Sequence, residues 1–247
     1  HGGNVSALDI AARRLRIQHG LFVVNAMWAR MGTGSAPGTA RHSHQAVPTP
    51  VTRSSIGRAI ARRLAAEGAT VVVTARSARP TAAVRADSNV VIGGTLSETV
   101  EMIESQHGRA LAIPADLEDS EARDGLIEKV VSRTGGIDIL VNCAGINRRK
   151  PIDDVTPEDF DAIVAVNMRA IYFLCQAVHD SMRRRGGGSI VNISSLSARY
   201  SYQTISVYAA TKAAVSSMTR SFAQEWAADG IRVNCIEPAV VRTEFTK

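Results

Sequence analysis

Aromatic side chains are scarce in this chain: five Phe, two Trp and four Tyr among 247 residues, 4% in all. Proteins that hold single-stranded nucleic acid stack bases on aromatic platforms, so this scarcity argues against that class despite a net charge of +6. The arginines are spread over helix faces. The densest group, Arg183-Arg184-Arg185, stands directly before Gly186-Gly187-Gly188, which suits a helix C-terminus with cations against the dipole and glycine to end it. No nucleic-acid partner is expected. There are only three cysteines, Cys143, Cys175 and Cys235, far apart and in apolar settings. They read as reduced core thiols of a cytoplasmic protein, not as a disulfide frame or metal site. His42 and His44 lack a third ligand, so no metal is expected. No apolar run approaches the ~20 residues of a membrane span. The longest, Leu21 to Ala29, is interrupted by Asn25, and the arginines before it lead to no convincing cleavage site. No membrane partner is expected.

What the chain does contain is a regular alternation. At 45% hydrophobic and 21% charged, it has the composition of one globular domain. From residue 56 onward, helical periodicity and short apolar runs take turns. Helices are expected from 56 to Gly68, over 96–106 and 120–133, from Pro157 to Arg185 and over 206–228. Strands are expected at 70–74, 110–113, 137–142, 189–193 and 231–236. Short continuous apolar runs are the mark of strands covered on both faces. The expected fold is therefore α/β, a single-domain, doubly wound Rossmann-like parallel sheet with helices on both faces. Ligands of such sheets bind beyond the carboxyl ends of the strands. Residues 1–50, rich in Gly, Pro, Ser and Thr toward their end, read as an irregular segment before a domain at 51–247.

Tyr208 and Lys212 lie four residues apart, on one face of the expected helix, and Ser195 lies thirteen residues before Tyr208. A free phenol has a pKa of about 10. A neighbouring ammonium favours the phenolate, so Lys212 is expected to lower the Tyr208 pKa toward the operating pH. Ser195, arriving from a strand, is placed to donate a hydrogen bond to a substrate oxygen. Together the three suit proton transfer to or from a carbonyl or alcohol.

These residues sit within a longer series: SSIGRAIARRLAAEGATVVVTAR, ADL at 115–117, DILVNCAG at 138–145, VNM at 166–168, SIVNISS, SVYAATK and RVNCIEPAVVRT at 232–243. The series resembles the classical short-chain dehydrogenase/reductase family over residues 51–247, with gluconate dehydrogenase-type and oxoacyl-carrier-protein reductase-type members as its nearest look. The resemblance implies a small-molecule carbonyl or alcohol substrate and a nicotinamide cofactor. It implies catalytic roles for Asn167, Ser195, Tyr208 and Lys212, with Lys212 also holding the nicotinamide ribose and Asn167 placing a water chain to the lysine. Asp116 and Leu117 would contact adenine, and Asn142, Ala144 and Gly145 the ribose and nicotinamide side. Pro238, Val241 and Thr243 would contact the cofactor after the sixth strand, with Thr243 at the carboxamide. It further implies a homodimer or homotetramer built on the helices near 157–185 and 206–228.

The phosphate turn departs from the family pattern TGxxxGxG. Here the stretch is VTRSSIG, in which Ser54, Ser55 and Ile56 precede Gly57. A β-carbon at Ser55 crowds the approach of a phosphate to the backbone, so weakened nucleotide binding is expected. Pro48 and Pro50 stand where a central strand would lead in, and Pro does not suit one. The chain ends at Lys247, just past the sixth strand, which reads as a partial chain. Arg76, with no acid at the end of the second strand, favours NADP over NAD. Arg148, Arg149 and Lys150 read either as a carboxylate-attracting group or as a solvated loop. The alternative to an enzyme is a non-catalytic chain of the same fold that acts only through oligomer or partner binding.

Overall fold

A computed structural model of the protein describes residues 21–25, 31–33, 56–76, 84–85, 88–91, 95–239 and 241. In chain order the strands and helices begin with β1 (Leu21–Asn25), β2 (Met31–Thr33), α1 (Ile56–Ala66), β3 (Thr70–Thr74), β4 (Val84–Arg85), β5 (Ser88–Val91) and α2 (Leu96–Glu104). They continue with β6 (Arg109–Ala112), α3 (Ser120–Asp124), α4 (Leu126–Thr134), β7 (Ile139–Asn142), β8 (Asn147–Arg149) and α5 (Pro157–Val164). A π-helical turn over Ala165–Arg169 joins α5 to α6 (Ala170–Arg184), and β9 (Gly188–Ile193), α7 (Ser206–Glu225) and β10 (Ile231–Ile236) complete the series.

Six strands form one sheet in the order β10-β9-β7-β1-β3-β6, and every neighbouring pair is parallel. Alternation along each strand divides the core between the two faces. Val72 and Leu140 join the cluster under α4, α5, α6 and α7, whereas Val71, Val73, Ile139 and Val141 join the one containing Ile60, Ala61, Leu96 and Ile103 of α1 and α2. The expected doubly wound sheet is present, and each of its helices and strands from residue 56 on falls within a few residues of its expected place.

The start of the sheet differs from expectation. Its central strand is β1, inside the segment expected to be irregular, with β3 on one side and β7 on the other. The run LFVVN has the short, apolar, partly β-branched character that a central parallel strand requires. The run containing Pro48 and Pro50 does not. The link from the first strand to the first helix, a tight turn in the family pattern, is here residues 26–55. A short parallel pair of β2 with β8 lies within and beyond that link.

One continuous helix, Pro157–Arg184, is long and apolar enough to cross a membrane by length and composition, contrary to the expectation from apolar runs. Half of its most apolar window is buried inside the fold, as befits the core helix of a sheet layer. Thr156 and Asp159 form a capping box at its start, with Pro157 at the first turn.

The glycine run after this helix is needed for its backbone. Gly186 and Gly187 have φ of +82° and +137°, and a β-carbon on Gly187 would lie 2.6 Å from the Gly230 carbonyl oxygen, whereas one on Gly186 meets nothing. Gly186→Ala is therefore expected to cost about 1 kcal/mol of left-handed strain. Gly187→Ala adds a clash with backbone that cannot step aside, and should cost about 2–4 kcal/mol. Urea unfolding of the two variants checks the order; equal losses would contradict it.

Candidate active site

Helix α7 begins at Ser206, after Thr204 in the left-handed region at φ +68°. A β-branched residue there costs of order 1–3 kcal/mol, and the carbonyl of Thr204 is held by the amide of Lys150 at 3.0 Å. This turn delivers Tyr208 and Lys212 to the carboxyl end of β9, where Ser195 follows Ile193 by two residues. The i, i+4 stripe continues inward: Lys212, Ser216 and Thr219 are all buried against the sheet.

Lys212 is the deepest charge of the site. Its Nζ donates to the Ile193 carbonyl at 2.8 Å, and its own carbonyl accepts from Ser194 Oγ at 2.7 Å. Burial pulls its pKa from 10.5 down to about 8, against the opposing influence of the Cys143 and Cys235 thiols. Ser195 Oγ accepts from the Ser197 amide at 3.1 Å, and its single O–H points to the Tyr208 phenol. Its hydrogen bond to Tyr208 favours the phenolate, but burial outweighs it, so the phenol pKa is raised. This reverses the expectation that Lys212 lowers it. The ammonium stands 5.6 Å from the ring centroid and is engaged by the Ile193 carbonyl.

Asn167 lies in the π-helical turn, where the widened backbone turns its side chain inward. Its Oδ1 accepts from the Ile146 amide at 2.8 Å, and its Nδ2 donates to the Ile146 carbonyl at 2.8 Å and to Thr211 Oγ1 at 3.3 Å. It thus clamps the chain leaving β7 to α7. Gly145 is where that clamp passes the lysine. A β-carbon there would lie 3.4 Å from Lys212 Nζ and 3.5 Å from Asn167 Oδ1, so the bare glycine keeps open the space beside both.

Other expected contacts fall along the same sheet edge with varied freedom. Arg76 is exposed at the end of β3. Asp116 is half-buried and its Oδ1 accepts from the Glu118 amide at 3.0 Å. Leu117 and Ala144 are buried, and the Leu117 side chain belongs to the core, which leaves its backbone for a nucleotide. Ile56, Pro238 and Val241 are half-buried. Asn142 is engaged within the fold. Its Nδ2 donates to Asn192 Oδ1 at 2.8 Å, and Asn192 donates on to Thr219 Oγ1 at 3.0 Å. That buried ladder ties β7, β9 and α7 together and engages the Asn142 amide nitrogen. Ser54, Ser55 and Thr243, with most of the VTRSSIG turn, lie outside the described residues, as do His42, His44, Pro48 and Pro50.

Several residues escaped the sequence reading. Asp159 accepts from Arg148 Nη1 at 3.0 Å and pairs with Lys150, and these two cations hold its carboxyl far below the usual range. They are thereby engaged, whereas Arg149 is exposed and has no ion pair among the described residues. Ser216 was legible as the next member of the Tyr208–Lys212 stripe. Ser194, Arg199 and Glu237 gave no local signal.

The buried lysine makes a stability signature. Between pH about 8 and 10.5 the folded chain releases the Lys212 proton while the unfolded chain keeps it. The unfolded state then binds more protons, so this group adds stability as pH rises and costs stability below the window. The difference in unfolding free energy, wild type minus Lys212→Met, should rise by about 3 kcal/mol across it. Denaturant titrations of both proteins check this, and a constant difference would contradict it.

Comparison with known proteins agrees with this geometry. The family model described as short chain dehydrogenase matches residues 51–247. The chain is 34% identical over 195 residues to 2-dehydro-3-deoxy-D-gluconate 5-dehydrogenase of Bacillus subtilis, covering 78% of this chain and 70% of that protein. It is 32% identical over 192 residues to gluconate 5-dehydrogenase of Gluconobacter oxydans, covering 78% and 69%. A crystal structure of a metagenomic short-chain oxidoreductase in complex with NADP superposes with a TM-score of 0.66 at 31% identity, covering 75% of this chain and 77% of that one. The chain belongs to the short-chain dehydrogenase/reductase family of NAD(P)-dependent oxidoreductases.

Proposed function

We propose that this oxidoreductase interconverts a hydroxylated acid and its keto form, with Tyr208 as the proton donor and acceptor and NADP(H) as the preferred cofactor. The single observation that carries the mechanism is the meeting of Ser195 and Tyr208 beside the buried Lys212. The phenol keeps its proton at neutral pH, the form that carbonyl reduction requires. With substrate bound, the Ser195 O–H turns from the Tyr208 oxygen to the substrate oxygen on which negative charge develops, an electrostatic contribution. Tyr208 then passes its proton to that oxygen. Lys212 holds the end of β9, and so the Ser195 segment, in register with the helix that carries Tyr208.

The residues present fit a nicotinamide nucleotide. Gly145 leaves room beside Lys212 Nζ, Arg76 and Asp116 follow neighbouring strands, and all lie along one sheet edge. The cofactor supplies the hydride. Arg76 suits a 2′-phosphate, Asp116 and the Leu117 backbone the adenine, Ala144, Gly145 and Lys212 the nicotinamide ribose, and Asn167 a water chain to the lysine. The sugar-acid names of two of the relatives support an acidic, hydroxylated substrate, and Arg149, exposed and without an ion pair among the described residues, is the cation left to meet its carboxylate. Phe160, Tyr172 and Phe173 are 50%, 41% and 40% exposed on α5 and α6, a face that supports pairing of subunits into a dimer or tetramer.

Gluconate oxidation with NADP⁺ is the first assay. Tyr208→Phe should lower kcat by about 10²–10⁴-fold, the usual worth of general acid–base catalysis, while NADPH binding measured by fluorescence changes little. A near-normal rate would remove Tyr208 from the mechanism. Arg76→Ala should weaken NADPH by about ten- to a hundredfold, the worth of one charge-assisted hydrogen bond, and leave NADH within about twofold. Equal losses would show that Arg76 does not read the phosphate. Light scattering at micromolar concentration should give a dimer or tetramer, and a stable monomer would contradict the paired helices.

A further inference from the structure

Strand β10 does not end its work at Ile236. The Ser194 amide donates to the Ile236 carbonyl at 2.8 Å and the Leu196 amide to the Pro238 carbonyl at 2.9 Å. The parallel ladder of β9 and β10 therefore runs on past both strands and grips Ser195 from the residues on either side of it. Glu237 lies between the two carbonyls that do this. Side chains alternate along a strand, so Glu237 shares a face with Cys235. That face meets α7, where Ser216 Oγ lies 3.7 Å from Cys235 Sγ and donates to Glu237 Oε1 at 2.7 Å. Ser216 Oγ also lies 3.0 Å from Ser194 Oγ, and Ser194 donates to the Lys212 carbonyl. The second oxygen of Glu237 takes Arg199 Nε at 2.5 Å. Arg199 closes the one-turn helix Leu196–Ala198 that Ser195 caps, through its amide to the Leu196 carbonyl at 3.0 Å.

We propose that Glu237 is a positioning residue that holds Ser195 against Tyr208. One carboxylate ties together the strand end before Ser195, the turn after it, and the helix that carries Tyr208 and Lys212. An exposed ion pair alone is worth little, and the Arg199 side chain is 70% exposed. Here the carboxylate is 18% exposed and its other oxygen is engaged by Ser216, so the pair closes a ring of contacts instead of standing alone. The Ser216 hydrogen bond first, and Arg199 after it, hold the Glu237 carboxyl below the usual range, which keeps it charged at neutral pH.

The test needs no substrate, so its failure is separate from failure of the substrate reading. Tyrosines are titrated by their alkaline difference spectrum, and the component missing from Tyr208→Phe belongs to Tyr208. Ser195 favours the phenolate, so loosening it should move the Tyr208 titration to higher pH. Removing the negative charge of Glu237 acts through space in the opposite direction, because a nearby anion disfavours the phenolate. Glu237→Gln therefore separates the two by sign: positioning predicts an upward move of about 0.5–1 in pH, and a bare charge effect predicts a downward one. Arg199→Met should move it upward likewise, Arg199→Lys should restore it, and the double variant Glu237→Gln/Arg199→Met should add nothing. In a Ser195→Ala background Glu237→Gln should have no upward effect. A folded Glu237→Gln with an unmoved or lowered Tyr208 titration overturns the proposal, as does an upward move that survives Ser195→Ala. If Glu237→Gln fails to fold, Arg199→Met decides through the Ser195→Ala background, because loss of a cation by itself also moves the titration upward: an upward move that Ser195→Ala abolishes supports positioning, and one that survives it overturns the proposal.

Discussion

The site rests on one buried ammonium. Lys212 reaches through the seam between α7 and the sheet to the last carbonyl of β9, and its own carbonyl is capped by the next residue of that strand. The two hydrogen bonds tie helix and strand together across their contact. The cost is a charge taken out of water, visible in a lysine pKa near 8. Hydrophobic packing alone holds such a helix more cheaply, so this is a place where stability yields to placement.

Around the lysine, polar residues form a continuous seam rather than isolated contacts. Asn142, Asn192 and Thr219 make one buried ladder, and Ser194, Ser216 and Glu237 make another beside it. Buried polar groups that satisfy one another specify a single arrangement more sharply than apolar ones of similar shape. The seam sets the register of α7 on the sheet, and that register decides where the Tyr208 hydroxyl meets Ser195. Asn167 performs the matching task on the other side, by joining the Ile146 backbone to Thr211. The ground for precise geometry is thus laid one layer below the residues that face substrate.

Much of this was legible in the sequence for definite reasons. Parallel strands covered on both faces are short apolar runs, so 70–74, 189–193 and 231–236 stood out without any partner in view. Tyr208 and Lys212 were legible because their relation is local, one helical turn. The central strand at Leu21–Asn25 was missed because residues 26–55 separate it from the helix it should directly precede. The direction of the Tyr208 pKa was misread because spacing reveals the lysine but not the burial, and burial is the larger effect. The contacts of Asn142 with Cys175 and Asn192 join residues 33 and 50 positions apart. Glu237 and Arg199 are 38 residues apart, and no local pattern joins them.

The central claim is that Lys212 is held charged although buried, and is used to place Tyr208 and Ser195. The chain has only Lys129, Lys150, Lys212 and Lys247, so each is resolvable by NMR of lysine-labelled protein. A pH titration should show one lysine, absent from Lys212→Met, titrating near 8. If the Lys212 signal instead titrates like a free lysine side chain, around 10.4, the ammonium is solvated and the account of this site is wrong.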